Sequence, residues 1–316
     1  MTGLYLAPME ELTGYVFRNT IERHFGYIDK YFTPFISPDN RIMKTHSRNE
    51  LLPANNEGLI VVPQLLTNDA DQFNEAADLI AGLGYEEINI NFGCPSNTVA
   101  SKFKGSGILR VPDIMDRFLD GTFNGENRVL KVHPELRISV KTRVGYNDVS
   151  DWDTVIDVLG RYPFSEIIIH PRLKKDLYNG NVRMELFDLA CERLSADLVY
   201  NGDVLTADDF TKIDSGKITA VMIGRGAIRN PGIFRQIRTG EVMTKAELSD
   251  FLADLYDSYK EGYGAGNAIS KMKEVLSYTV GLIDDDKERS RIFKTVIKSK
   301  TEAQYRDAVT VALSAV

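Results

Sequence analysis

Cys94 stands between Gly93 and Pro95, directly after the apolar run Ile88-Asn89-Ile90, so a thiol lies where a strand should end and a turn begins. Glycine and proline on either side expose the sulfur and fix its direction. Further along, Lys141 follows Ser139-Val140 and His170 follows Ile167-Ile168-Ile169, each at the carboxyl end of a buried-looking run. A cation and a donor brought together there can stabilise negative charge building on a flavin or pyrimidine carbonyl. Gln64, ending Ile60-Val61-Val62-Pro63-Gln64, could bond the same ring. Arg143 and Arg172, each two residues past one of these groups, should lie nearer the rim. Cys191 belongs to Leu186-Phe187-Asp188-Leu189-Ala190-Cys191 and reads as a small apolar residue of an amphipathic helix.

Such tips converge only if the strands that carry them are parallel and arranged in a ring. Strand-like segments fall near residues 3–7, 28–33, 59–65, 86–91, 137–143, 165–170, 197–201 and 219–224, with helical spacing between most of them. Eight such units predict a (β/α)8 TIM barrel. The helix from Asp69 to Leu83, with Asn68 as its cap, should pack on that barrel through Phe73, Ala76, Ala77, Ile80 and Leu83. The tips Asn201-Gly202-Asp203 and Gly224-Arg225-Gly226 end the seventh and eighth strands, where barrels of this kind hold a phosphate-bearing cofactor. The longest connection, from Gly93 to about Arg137, carries Lys102, Lys104, Gly105-Ser106-Gly107 and Arg110, and its length predicts a task.

From about Glu241 the alternation gives way to helical patterns, so the chain is expected to divide into a barrel over residues 1–240 and an all-helical domain over 241–316. Within the latter, Lys287, Arg291, Lys294 and Lys298 are spaced to share one helical face. A chain of 316 residues with 43% apolar and 26% charged content can bury a large core. The net charge of −7 argues against a generally basic nucleic-acid protein but permits a local basic face. Two cysteines in such different settings predict neither a structural disulfide nor a metal site. No segment reads as membrane-spanning or as a signal peptide, so a cytoplasmic location is expected.

Taken in order, the motifs resemble the tRNA-dihydrouridine synthases: Leu6-Ala7-Pro8-Met9-Glu10, Gln64-Leu65-Leu66, Asn91-Phe92-Gly93-Cys94-Pro95-Ser96, Gly105-Ser106, Lys141-Thr142-Arg143, His170-Pro171-Arg172, Asn201-Gly202-Asp203 and Gly224-Arg225-Gly226-Ala227. Lys271-Met272-Lys273 with Leu276-Ser277-Tyr278 also looks like the tRNA-binding helical domain of the bacterial members. The resemblance implies an FMN- and NAD(P)H-dependent reduction of the C5–C6 bond of a tRNA uridine, with Cys94 giving a proton to C5. It implies that Pro8, Met9, Gln64, Lys141, His170, Asn201, Gly202, Asp203, Gly224 and Arg225 hold FMN. It further implies that Asn91, Arg143 and Arg172, with the cations Lys287, Arg291, Lys294 and Lys298, meet the RNA, and that no stable protein partner is required. The chain departs from the family pattern at Glu11, Gly14, Pro171 and Asn181-Val182-Arg183-Met184-Glu185. A free-pyrimidine FMN oxidoreductase and a barrel that binds flavin or RNA without turnover are the alternatives. Neither the target uridine nor the choice between NADPH and NADH is encoded in a motif.

Overall fold

The computed structural model describes residues 1–38, 46–213 and 215–316. Nine strands, all parallel, form one sheet among the described residues: β1 (Gly3–Leu6), β2 (Lys30–Phe32), β3 (Val61–Val62), β4 (Gln64–Leu65), β5 (Glu87–Phe92), β6 (Arg137–Arg143), β7 (Glu166–His170), β8 (Asp197–Tyr200) and β9 (Ala220–Ile223). Their order is β3-β2-β1-β9-β8-β7-β6-β5-β4. The two end strands are one run interrupted at Pro63, which has no N–H to give to a ladder. On one side Val61 and Val62 pair with Tyr31 and Phe32, and on the other Gln64 and Leu65 pair with Asn89 and Ile90. The Pro63 carbonyl still accepts from Asn89 N at 2.9 Å. The run therefore closes the sheet into the eight-membered barrel that the sequence predicts.

Side chains alternate in and out along each strand, so residues two apart share the interior. Tyr5, Ala7, Phe32, Val62, Ile168, Val199, Ala220 and Met222 make its apolar middle. The same alternation carries Glu87, Asn89 and Asn91 on β5, and Ser139, Lys141 and Arg143 on β6, along one line each. Asn91 and Lys141 are register partners across those two strands. The helix after β4 runs Ala70–Gly82, and its cap is Asp69, whose carboxylate accepts from Gln72 N at 3.0 Å. Asn68 instead donates to the Lys102 carbonyl at 3.1 Å, which corrects the expected cap.

Contacts divide the chain into two compact units, neither of them one stretch of sequence. The first comprises Met1–Pro8, Asp29–Gly202 and Asp214–Met222, and so holds nearly all of the sheet. The second comprises Met9–Ile28, Asp203–Ile213 and Ile223–Val316. Within it the helix Tyr15–His24 packs on Lys245–Tyr263, with Phe17 edge-on to Phe251 at 6.0 Å and His24 bonded to Asp254 at 2.9 Å. Glu11, a departure from the family pattern, adopts a left-handed φ of 61° and ion-pairs with Lys271 at 3.0 Å. No helix among the described residues is long and apolar enough to cross a membrane.

Candidate active site at the carboxyl end of the barrel

The loop after β5 is fixed at its backbone. Asn91 Oδ1 accepts from Gly93 N at 3.0 Å and from Cys94 N at 2.9 Å. Arg143 Nε donates to the Gly93 carbonyl at 3.0 Å. The Cys94 carbonyl accepts from Ser106 twice, from its N–H at 3.1 Å and from its hydroxyl at 2.8 Å. Every polar backbone group of Gly93 and Cys94 is thus held by a neighbouring side chain or loop, so the Cα–Cβ bond that carries the half-buried thiol is aimed before any ligand arrives. Gly105 is part of this clamp: its φ is +54°, and a Cβ there would stand 2.9 Å from the Cys94 carbonyl oxygen. The Gly105-Ser106 pair in the long connection earns its place by holding the cysteine.

Asn91 is fixed in turn, because its amide donates to Gln64 Oε1 at 2.7 Å. Gln64 donates to Asn89 Oδ1 at 2.8 Å, Asn89 to Ser139 Oγ at 3.0 Å, and Ser139 to Glu87 Oε1 at 2.7 Å. Glu87 and Glu166 each take one bond from Lys30 Nζ at 2.9 Å, and Tyr5 closes the series on Glu166 at 2.7 Å. A buried polar chain therefore runs from the barrel floor to the thiol loop. Burial, with Glu166 adding to it, pushes the Tyr5 phenol well above its ordinary range, so it stays a donor. Sequence reading missed this chain. Its signal is the interior alternation itself, which puts Lys30, Glu87 and Glu166 at the first positions of their strands.

Lys141 lies at the mouth, half-buried, and among the described residues its ammonium has no hydrogen-bond or ion-pair partner. Burial lowers its pKa from 10.5 to about 7, with the Arg143 charge adding to the fall and Cys94 opposing it. His170, on the interior line of β7, receives a bond at 3.2 Å from Arg172. Guanidinium can only donate, so this contact needs the unprotonated nitrogen of His170 at Nε2. Asn201, at the end of β8, donates to the Met222 carbonyl at 2.8 Å.

Arg143 and Arg172 do not stand at the rim. Each is 2% exposed. Arg143 ties Gly93 to the Leu173 carbonyl, and Arg172 binds the Gly180 carbonyl, so both spend their donors on loops around the mouth. Burial pulls the Arg143 guanidinium below its ordinary pKa. Gln64 likewise has both ends of its amide in the interior chain. In the second unit, Arg225 pairs with Asp203 at 2.6 Å, and Gly226 lies so close to the Val204 carbonyl that a Cβ would meet it at 2.1 Å. The cations Lys287, Arg291, Lys294 and Lys298 are all exposed on the helix Asp286–Lys298. Cys191 is half-buried on the helix Met184–Arg193, near the Lys217 carbonyl.

Among solved structures, the chain is similar to morphinone reductase, with a TM-score of 0.57 and 11% identity over 79% of this chain and 88% of that one. It is also similar to an old yellow enzyme homologue from Zymomonas mobilis, with a TM-score of 0.55 and 12% identity over 76% and 89%. At that identity the likeness is one of fold. Among curated relatives, a probable tRNA-dihydrouridine synthase from Staphylococcus aureus (strain COL) is 29% identical over 270 residues, covering 81% of this chain and 78% of the relative. A tRNA-dihydrouridine(16) synthase from Aquipseudomonas alcaligenes is 27% identical over 286 residues, covering 86% and 88%. The sequence model of the dihydrouridine synthase (Dus) family matches residues 5–313, nearly the whole length, and the chain belongs to that family of enzymes.

Proposed function

We propose that the protein is a tRNA-dihydrouridine synthase, reducing the C5–C6 bond of a uridine in tRNA. The observation that carries this reading is the clamped thiol of Cys94 beside the unpaired ammonium of Lys141, in a chain of this family. FMN suits the mouth because a half-buried cation that the protein leaves uncompensated is completed by a ring carbonyl gaining negative charge. Lys141 and His170 are the groups proposed to meet that ring. When bound, FMN supplies the hydride, drawn from NADPH or NADH and delivered to C6 of the uracil.

The chain's own residues supply the rest. Saturating the C5–C6 bond develops enolate character on the pyrimidine, and Cys94 Sγ gives its proton to C5 and regains one from solvent. Asn91, Arg143 and Ser106 act through the backbone, keeping the thiol aimed while the base enters. Lys141 holds charge at the mouth. A uridine stacked in folded RNA must be turned out to reach these groups, so the surrounding RNA has to be gripped. The exposed cations of the helix Asp286–Lys298 are the proposed phosphate partners.

Purified protein should carry a yellow FMN-type spectrum that NADPH bleaches and tRNA restores. Cys94→Ala should bleach at the parent rate but recover more slowly by on the order of a hundredfold or more. A colourless protein would remove the flavin from the reading. Recovery with free uracil as fast as with tRNA would turn it into a free-pyrimidine oxidoreductase, and a variant recovering at the parent rate would reassign Cys94 as structural.

A further inference from the structure

Loops following β5, β6 and β7 carry a row in which rings and cations alternate. The Arg110 guanidinium lies 4.6 Å from the centre of the Phe103 ring and 4.8 Å from that of Tyr146. Lys174 Nζ lies 5.1 Å from the Tyr146 ring and donates to Asn97 Oδ1 at 2.7 Å, three residues past Cys94. The row therefore ends at the thiol loop. Phe103, at its outer end, is 36% exposed on a backbone with φ 55°. Nearby in the chain, Leu177 takes φ 51° and its neighbour Tyr178 is 51% exposed, with its ring beside His170 at a centroid distance of 6.4 Å and an interplanar angle of 28°.

Folding gains little from a large apolar ring held in water on a left-handed backbone, a conformation that side chains other than glycine avoid. A ligand with flat apolar faces and regular negative charges does gain from it. Lys102 and Lys104 flank Phe103, and Lys174-Lys175 precede Leu177-Tyr178. The acid that follows these lysines, Asp176, gives its ion pair to Arg183 at 2.5 Å, and the field of Lys175 reaches it only from a greater distance. In a chain of net charge −7, rings interleaved with lysines at the mouth complement unpaired nucleotides, whose bases stack on aromatic faces while their phosphates meet cations.

We propose that this row, with the Tyr178 ring that the Arg143 guanidinium backs at 5.5 Å, is a stacking platform for the unpaired RNA bases next to the reduced uridine, with Phe103 and Tyr178 as its two exposed rings and Lys102, Lys104 and Lys175 as phosphate partners. It rests on the reading above that the substrate is tRNA. A base stacked at Phe103 or Tyr178 offsets part of the cost when the target base leaves its own stack.

The test is tRNA affinity of the full chain at several salt concentrations, by fluorescence anisotropy with labelled tRNA. Phe103→Ala and Tyr178→Ala should each weaken binding by roughly five- to a hundredfold, the range expected when one base no longer stacks. The slope of log affinity against log salt should not change, because every cation is still in place. Phe103→Tyr, which keeps a ring, should restore affinity. Lys104→Gln should instead lower the slope by about 0.7 to 0.9. Parent-like affinity in both alanine variants would overturn the platform while leaving the tRNA reading intact, and so would a weakening at Phe103→Ala that Phe103→Tyr fails to restore. A parent protein with no affinity for tRNA would overturn the reading of function and the platform with it.

Discussion

At the floor of the barrel Lys30 meets Glu87 and Glu166 at 2.9 Å each, and Tyr5 and Ser139 cap the remaining carboxylate oxygens at 2.7 Å. At the mouth Lys141, on the same interior surface, has no partner among the described residues. Both are buried or half-buried lysines of one barrel, and they differ in who neutralises them. A charge taken out of water is tolerated where protein groups answer it, as at the floor. One that is left unanswered costs stability, and it persists where a ligand completes it. The pairing of buried charge, more than its burial, therefore separates the structural end of this barrel from the end proposed to do the chemistry.

The strongest way to break that comparison is to remove Lys30. Lys30→Met strands two carboxylates in the interior, and breaking one side of a buried ion pair costs about 3–5 kcal/mol. Denaturant unfolding of parent and variant measures it directly. A cost under about 1 kcal/mol would mean that water reaches the floor and that its pairing is incidental.

Lys141→Met should do the reverse, leaving the flavin-free protein as stable as the parent or more so. The distinctive readout is pH. Between pH 7 and 10.5 the unfolded chain keeps a proton on Lys141 that the folded chain has shed, so the parent gains stability as pH rises through that window. That gain, on the order of 2–4 kcal/mol, should be absent from Lys141→Met, while below pH 7 both should run parallel. Identical stability curves across the window would show that Lys141 is solvated, and the contrast with the floor would fall.

How much of this contrast could be read from residues alone follows from what a strand encodes. Each of the eight strand positions was legible, because a short apolar run ends there in glycine, proline or a polar residue. So were Cys94, Lys141 and His170, which close such runs. The floor was not, because Lys30 lies 57 residues from Glu87 and 136 from Glu166, and nothing local marks three charges as mutual partners. For Arg143, on β6, and Arg172, two residues past β7, the sequence marks the place along the chain but not the depth. Their partners are the carbonyls of Gly93, Leu173 and Gly180, in loops whose path no motif fixes. Ser106 was legible as part of a glycine-flanked turn, while its two bonds to the Cys94 carbonyl depend on how the long connection folds back.

Charges on the helix Asp286–Lys298 give the comparison its third and weakest case, cations with neither a buried partner nor a buried place. The helix buries only Ile292 and Val296, while Lys287, Arg291, Lys294 and Lys298 face water. Arg291 is paired with Glu288 at 3.3 Å, and Lys298 sits in the last turn, where a cation favours the helix dipole. Lys287 and Lys294 make no ion pair among the described residues, so changing both to glutamine tests charge with the least disturbance. Stability should move by no more than about 0.5 kcal/mol, against several at the floor. Affinity for tRNA should weaken, and the salt slope should fall by roughly 0.7 to 0.9 for each phosphate left without its cation, with flavin content unchanged. Unchanged affinity and slope would make the helix an ordinary solvated face, and the loops at the barrel mouth would then have to hold the RNA.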